Sequence, residues 1–203
     1  MRIFLLIPLA AGLLCAAGPG EFQSLMPKKD IGEHWIAEIA PASIWHIREG
    51  AIYCEGKPNG FLRSKQQYDD FVFRAEWRFE TEGWTRAPER WPNAGFFIHA
   101  LDIVNGWPTS QEVQGHFGEA GSLFGVRGGK ITGAKRGPIV KDRPQFGEWD
   151  KYEITSKGGK VTVMLNGKLV NEGTEAYPAK GSVCLQSEGW PVWYRNVEIK
   201  ELR

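Results

Sequence analysis

The sequence predicts an all-β sandwich, jelly roll or barrel, and three observations carry that prediction. From about residue 44 the apolar residues recur at every second position rather than at the helical spacing of about 3.6. No window of a dozen residues keeps a helical period. The 25 Gly and 12 Pro among 203 residues exceed the usual combined share of about 12%, which implies many turns between short strands. Nine Trp, eleven Phe and five Tyr exclude a disordered chain. Lys+Arg 25 against Asp+Glu 24 leave a net charge of +1, so the chain is no polybasic nucleic-acid binder. The length fits one domain with a sizeable core, and no internal repeat or low-complexity tract interrupts it.

The segments justify this reading in turn. Residues 1–17 read as an export signal. Arg2 supplies the positive end, the run from Ile3 to Leu14 is apolar but broken by Pro8 and Gly12, and Cys15-Ala16-Ala17 offers small residues for cleavage before Gly18. The run falls short of the ~20 residues a membrane-spanning helix needs. A lipoprotein signal with Cys15 lipidated is the rival, against which Leu14 stands where a small residue is expected. The mature chain is therefore expected in the periplasm or outside the cell. Residues 18–33 show no clear period, so 18–40 are taken as an N-terminal arm and 41–203 as the folded domain. Strands are predicted at 51–55 and 61–64. The clearest is 71–80, with Phe71, Phe73, Ala75, Trp77 and Phe79 on one face and Arg74, Glu76, Arg78 and Glu80 on the other. Strands follow at 95–101, 111–117, 123–126 and 151–155. The segment 160–166 alternates through Val161, Val163 and Leu165, then turns at Asn166-Gly167 into Lys168-Leu169-Val170. That is a two-residue hairpin, because a type I′ turn needs positive φ twice. Strands at 182–187 and 192–202 complete the set. The apolar phase of the last shifts near Arg195-Asn196, which predicts a bulge.

Two strands carry unusual polar faces. Glu112, Gln114 and His116 alternate with Val113 and Phe117, and Gln186 and Glu188 lie opposite Val183 and Leu185. An outer surface in water accounts for such a face; so does the sugar-binding side of a curved sandwich. His99 ends an apolar run. Trp84, Trp91, Trp107, Trp149, Trp190 and Trp193 are candidates for stacking on sugar rings or for core packing, whereas Trp77 belongs to the core. Trp84, Trp91, Trp107 and Trp190 neighbour Gly, Pro or Asn and read as rim residues. Cys54 and Cys184 are open to a disulfide or to burial as small free thiols. The usual zinc spacings are absent.

Six motifs then stand in a recognisable order: Asn93-Ala94-Gly95-Phe96-Phe97-Ile98-His99, Trp107-Pro108-Thr109-Ser110-Gln111-Glu112-Val113-Gln114, Gly147-Glu148-Trp149-Asp150-Lys151-Tyr152-Glu153-Ile154, Leu165-Asn166-Gly167-Lys168, Leu185-Gln186-Ser187-Glu188-Gly189, and the closing run from Tyr194 to Leu202. Over about residues 40–203 this order resembles the 3-keto-disaccharide hydrolase family. The resemblance implies a concanavalin A-like jelly roll of two curved antiparallel sheets, with Glu112, Gln114, Gln186 and Glu188 facing the concave cleft and His99 nearby. The chain departs from the family pattern at Asp150, Ala94 and Tyr194, where Asn, Ser and Phe are more usual, and it matches loosely over 118–146.

The chemistry so implied is specific. A ketone at C3 acidifies the C2 proton of a sugar, and the glycosidic oxygen on C1 is then β to the carbanion. Elimination followed by addition of water cleaves the bond. The reaction needs a base near C2, a stabiliser for the C3 oxygen and an acid for the leaving group. Glu112, Glu188 and His99 are the candidates for acid and base, and Gln114, Gln186, Trp107, His116 and Asn93 for holding the sugar. A divalent metal on the enolate, held by His99 and Glu112, is the cofactor left open. The expected partner is an oligosaccharide or keto-glycoside, without nucleic acid or a membrane span. A non-catalytic carbohydrate-binding module is the rival reading and a conventional glycoside hydrolase the third. Two acids on one polar face favour catalysis.

Overall fold

The computed structural model describes residues 20–82, 91–140 and 142–202. Its strands in chain order begin with β1 (Gln23–Ser24), β2 (Trp35–Glu38), β3 (Trp45–Arg48), β4 (Ala51–Cys54), β5 (Gly60–Ser64) and β6 (Phe71–Phe79). They continue with β7 (Gly95–Ala100), β8 (Ile103–Val104), β9 (Trp107–Pro108), β10 (Ser110–Gln114), β11 (Leu123–Val126) and β12 (Lys130–Thr132). The last are β13 (Asp150–Lys157), β14 (Lys160–Leu165), β15 (Lys168–Tyr177), β16 (Ser182–Ser187) and β17 (Val192–Glu201). Two single turns of 3-10 helix, Ile31–Glu33 and Ala42–Ile44, are the helical elements among the described residues.

These strands form the predicted jelly-roll sandwich of antiparallel sheets. The larger runs β12-β15-β14-β13-β6-β17-β4-β3, with β1 also on β17; the smaller runs β11-β10-β7-β16-β5-β2; β8 and β9 make a separate ribbon. Alternation decides which side chains lie between the sheets. Phe71, Phe73, Ala75, Trp77 and Phe79 of β6 are all buried there, as their spacing predicts. Phe96 of the smaller sheet meets Phe73, Trp77, Tyr152 and Tyr194 of the larger, with ring centroids 5.5–6.0 Å apart. All four contacts are edge-on, the arrangement ring quadrupoles favour.

The two tyrosines need partners for their hydroxyls in this apolar layer, and both find them on the smaller sheet. Tyr152 donates to the Gln114 carbonyl at 2.6 Å and Tyr194 to the Gln186 carbonyl at 2.6 Å. The family departure at Tyr194 thus adds a hydrogen bond beneath a polar strand. The departure at Asp150 also has an account. Asp150 is buried, paired with Arg143 and bonded by Asn166 Nδ2. Arg143 in turn donates to the Phe117 carbonyl, which fastens the segment 142–146 to the sandwich.

The hairpin at Asn166-Gly167 has both residues at positive φ, 51° and 81°, with Leu165 paired to Lys168. The register of β17 shifts between Arg195 and Glu198 with Asn196 at φ 49°, where the bulge is predicted. Other expectations need correction. The segment expected as an arm joins both sheets from Gln23 onward: β1 pairs with β17, β2 joins the smaller sheet, and Trp35 is buried with its indole N–H on the Leu25 carbonyl. The strand expected over 111–117 ends at Gln114, because Gly115 onward turns away to pair with 92–94 through loop bonds. The hairpin from Lys168 runs to Tyr177 rather than 170. The Ile103–Pro108 ribbon, absent from the predicted strands, turns at Asn105-Gly106 with φ 48° and 83°. Cys54 and Cys184 are free, buried thiols in different sheets.

Candidate functional site

The outer face of the smaller sheet, turned away from the core, carries the polar residues. Cross-strand register lines them up. One row runs Phe124, Glu112, Phe97, Cys184, Arg63. The next holds Gln114 beside Gly95, then Gln186 beside Phe61. Glu188, two residues past Gln186, bridges Asn93, two residues before Gly95, so both continue the same face.

The face has an apolar half and a polar half. Phe61, Phe97, Ala100 and Cys184 form a small cluster of their own. Trp107, on the β8–β9 ribbon, covers it with ring centroids 6.2 Å from Phe61 and 5.5 Å from Phe97. That cover is why these residues are buried although they face away from the core. Beside it, Glu188, Asn93, His116, Lys57, Trp91 and Trp190 line a cavity of about 740 Å³. Its Trp190 wall depends on Gly56, which sits at φ +79° with the Trp190 backbone 2.1 Å from where a Cβ would be.

Burial sets the electrostatics. Glu112 is 7% exposed, and burial with the neighbouring Glu188 charge pushes its pKa up to about 8, against the opposing pull of a Gln186 hydrogen bond and Arg136. Burial raises Glu188 to about 7, against an Asn93 hydrogen bond. Each carboxyl therefore has a side-chain amide for a partner, and Glu112 also feels the charge of Glu188. Glu188 thus ionises first and its charge helps hold the Glu112 proton on. His116 is pulled below its ordinary value by burial; its Nδ1 accepts from the Gly118 N–H at 3.1 Å. Gln114 accepts the His116 N–H at 2.9 Å, which leaves its NH2 group for another partner.

Because Glu112 rises from an ordinary 4.5 to about 8, the native state keeps a proton that the unfolded chain has released across that window. Its contribution to stability is present in full below the window and is lost as pH rises through it. Glu112→Gln cannot ionise, so urea melts of that variant are expected to lose the corresponding decline between about pH 4.5 and about pH 8. An unchanged slope would place the ionisation elsewhere.

Gly95 makes the Gln186–Glu112 contact sterically feasible. A Cβ at 95 would lie 2.8 Å from Gln186 Oε1 and 3.1 Å from the Val113 carbonyl. Gly95→Ala is expected to push the amide off Glu112 and raise that carboxyl's pKa further, read by NMR titration, and to lower the melting temperature because the same Cβ crowds the backbone at Val113 and Gly115. A fall in the pKa would count against this geometry.

The structure separates several other candidates from this face. His99 is a correction: it points into the core. Opposite it the register of β16 shifts between Ser182 and Cys184, and His99 takes φ 51°. The bulge breaks the alternation and re-aims the imidazole. Its Nδ1 bonds Gln111 Oε1 at 2.7 Å and its Nε2 bonds Ser156 Oγ at 3.1 Å, and burial lowers its pKa. His99 and Glu112 thus lie on opposite sides of the sheet and cannot share a metal. Among the described residues no group of three His, Cys, Asp or Glu is placed to hold one. Trp149 and Trp193 sit on the outer face of the larger sheet with Arg78 and Arg195. Trp84 lies outside the described residues. Sequence reasoning missed Lys57 and Arg136: an exposed Lys or Arg in a loop carries no periodic signal.

No helix among the described residues is long and apolar enough to cross a membrane. The profile of the 3-keto-alpha-glucoside-1,2-lyase-like domain matches residues 21–200. No curated protein matches. Among solved structures, a Parabacteroides distasonis protein provisionally named a glycosyl hydrolase is similar with TM-score 0.66 and 20% identity over 91% of this chain and 94% of that one. The carbohydrate-binding module CBM66 of Bacillus subtilis superposes with TM-score 0.62 and 12% identity, covering 83% and 96%. A Bacillus subtilis protein of unknown function with a galectin-like fold gives TM-score 0.59 and 12% identity, covering 91% and 96%. At these identities the three share the fold.

Proposed function

Because the chain belongs to the 3-keto-alpha-glucoside-1,2-lyase-like domain family, a family of carbohydrate-active domains, we propose that it cleaves 3-keto-glycosides on the outer face of its smaller sheet. The observation that carries this reading is the pair Glu112 and Glu188: two carboxyls on one face, raised to about 8 and about 7, beside a polar cavity with two Trp in its walls. A binding surface has no need of two acids poised near neutrality.

The roles follow from position. Glu188 lines the cavity and ionises first, so it takes the C2 proton. The electron pair forms the C2–C3 enolate, whose oxygen the Lys57 ammonium at the cavity wall is placed to stabilise. Collapse of the enolate expels the C1 oxygen, leaves a C1–C2 double bond and restores the C3 ketone. Glu112, protonated at neutral pH, supplies the leaving oxygen's proton. Water then adds its hydroxyl to C1 and a proton to C2. Asn93, Gln114, Gln186 and His116 hold ring hydroxyls, and Trp91 and Trp190 flank the ring. The rate is expected to rise with pH to a maximum near neutrality and fall above about 8, as Glu112 loses its proton.

Incubation with a 3-keto-glucoside and the intact glucoside side by side tests this reading. Release from the keto form alone supports it. Binding without release supports a carbohydrate-binding module, and equal release from both supports a conventional hydrolase. Export belongs to the same proposal: mass spectrometry of the native protein is expected to find residues 1–17 missing, and a lipidated Cys15 at the mature terminus would contradict it.

A further inference from the structure

We propose that the group leaving C1 carries a carboxylate, and that Arg136 receives it just beyond Glu112; this inference rests on the reaction proposed above. The register of the smaller sheet sets the direction. Glu188 follows β16, and the strands then run β7, β10 with Glu112, and last β11. Phe124 of β11 is the cross-strand partner of Glu112, so it shares the same face on the side away from Glu188. The Arg136 guanidinium lies over its ring, 4.0 Å from the centroid. A sugar held at Glu188 with its C1 oxygen at Glu112 therefore aims its leaving group at Phe124 and Arg136.

Charge is the second observation. From Ala120 to Lys141 the chain carries Arg127, Lys130, Lys135, Arg136 and Lys141 and no Asp or Glu. The first four are exposed, and among the described residues none of them makes an ion pair. Glu119, after β10, and Glu175, on β15 beside β12, border the run without pairing with it. Arg127 Nη2 donates to the Asn105 carbonyl of the β8–β9 ribbon at 3.2 Å, so a second guanidinium stands at the far end of β11. Glu112 feels the Arg136 charge, but it keeps its proton at neutral pH and offers no countercharge there.

A run of solvated cations is ordinary on a surface; a clamped one is not. The Lys135 carbonyl accepts from the Leu123 N–H at 3.0 Å and from Asn171 Nδ2 at 2.8 Å, and the Lys135 N–H donates to Asn171 Oδ1 at 3.1 Å. On the other side the Gly137 N–H donates to Ser122 Oγ at 3.0 Å, and Ser122 Oγ donates to the Gly137 carbonyl at 2.9 Å. Asn171 and Ser122 are both buried. The backbone of Arg136 is thus fixed from both sides, and its planar head rests on a ring with its N–H edge uncommitted. That arrangement suits a carboxylate, which the guanidinium fork can bind through two parallel hydrogen bonds, and it lowers the ordering cost of binding one.

The test compares 3-keto-glucosyl-glucuronate with its uncharged amide, 3-keto-glucosyl-glucuronamide, by turnover and by calorimetric binding. The expected result is a kcat/KM and an affinity at least about tenfold higher for the glucuronate at low ionic strength, the order a charge-assisted hydrogen bond gives. The preference is expected to shrink in about 1 M salt, where charges are screened within about 3 Å. Arg136→Gln is expected to bring the ratio toward one, whereas Lys29→Gln, before β2 at the opposite edge of the sheet, keeps it. Equal handling of the two compounds, a preference untouched by Arg136→Gln, or an equal fall in Lys29→Gln overturns the inference and leaves the reaction standing. If neither compound is cleaved, the reaction falls; tighter glucuronate binding that needs Arg136 still supports the anionic subsite, and its absence overturns the subsite as well.

Discussion

Glu188→Gln is expected to lower turnover of a 3-keto-glucoside by roughly 10²–10⁴-fold, the usual contribution of a general acid or base. The amide keeps the shape and the Asn93 neighbourhood but cannot take a proton from C2. Stability is expected to hold or rise, because the substitution removes a carboxyl whose ionisation burial opposes. Glu112→Gln is expected to cost turnover in the same range, with a different signature. The alkaline limb of the pH–rate profile, which reports loss of the Glu112 proton near 8, disappears, while the limb belonging to Glu188 stays in place because a protonated Glu112 and a Gln are both neutral where Glu188 ionises. A Glu112 that merely filled space would leave the profile alone. Near wild-type turnover in both variants would put the binding-module reading in front.

Phe73→Ala is expected to cost roughly 3–5 kcal/mol of folding stability, the range for truncating a large aromatic in a core. Phe73 is fully buried on β6, its ring edge-on to Phe96 of the opposite sheet. Phe96 is itself the point where Trp77, Tyr152 and Tyr194 converge. The cavity left behind is therefore walled by rings already fixed by other contacts, and little can collapse into it. The same rings carry the hydroxyls that hold the Gln114 and Gln186 carbonyls, so the variant that folds is also expected to show a raised KM. Chemical denaturation reads the first effect; a loss under 1 kcal/mol would mean the site relaxes far more than ordinary cores do.

The site was partly legible before any coordinates. The alternation in 111–114 and 183–188 places Glu112, Gln114, Gln186 and Glu188 on one side of their strands, and the structure brings those four to one face. Period-two spacing can do this because it is a local property of an extended backbone. His99 shows where that logic stops. Its position in the alternation aims it outward, yet an extra residue in β7 opposite β16 turns it into the core. A bulge belongs to two strands at once and leaves little trace in either sequence. Position 196 shows the contrary case, because there the apolar phase itself slips.

What the sequence by itself determined is the all-β class, the burial phase of β6, the Asn166-Gly167 hairpin and which side chains share a strand face, since each follows from residues a few positions apart. What only the tertiary structure decided is what those faces meet. The burial that raises Glu112 comes from its place in a sheet face flanked by Phe97 and Phe124. The Glu188 cavity draws Lys57, Asn93, His116 and Trp190 from four separate segments. Trp149 and Trp193 fall on the opposite outer face because β17 and the approach to β13 lie in the other sheet. Pairing partners in a jelly roll lie tens to more than a hundred residues apart, as Tyr53 and Trp193 do, and such long-range closures are set by the packing of whole sheets rather than by local spacing.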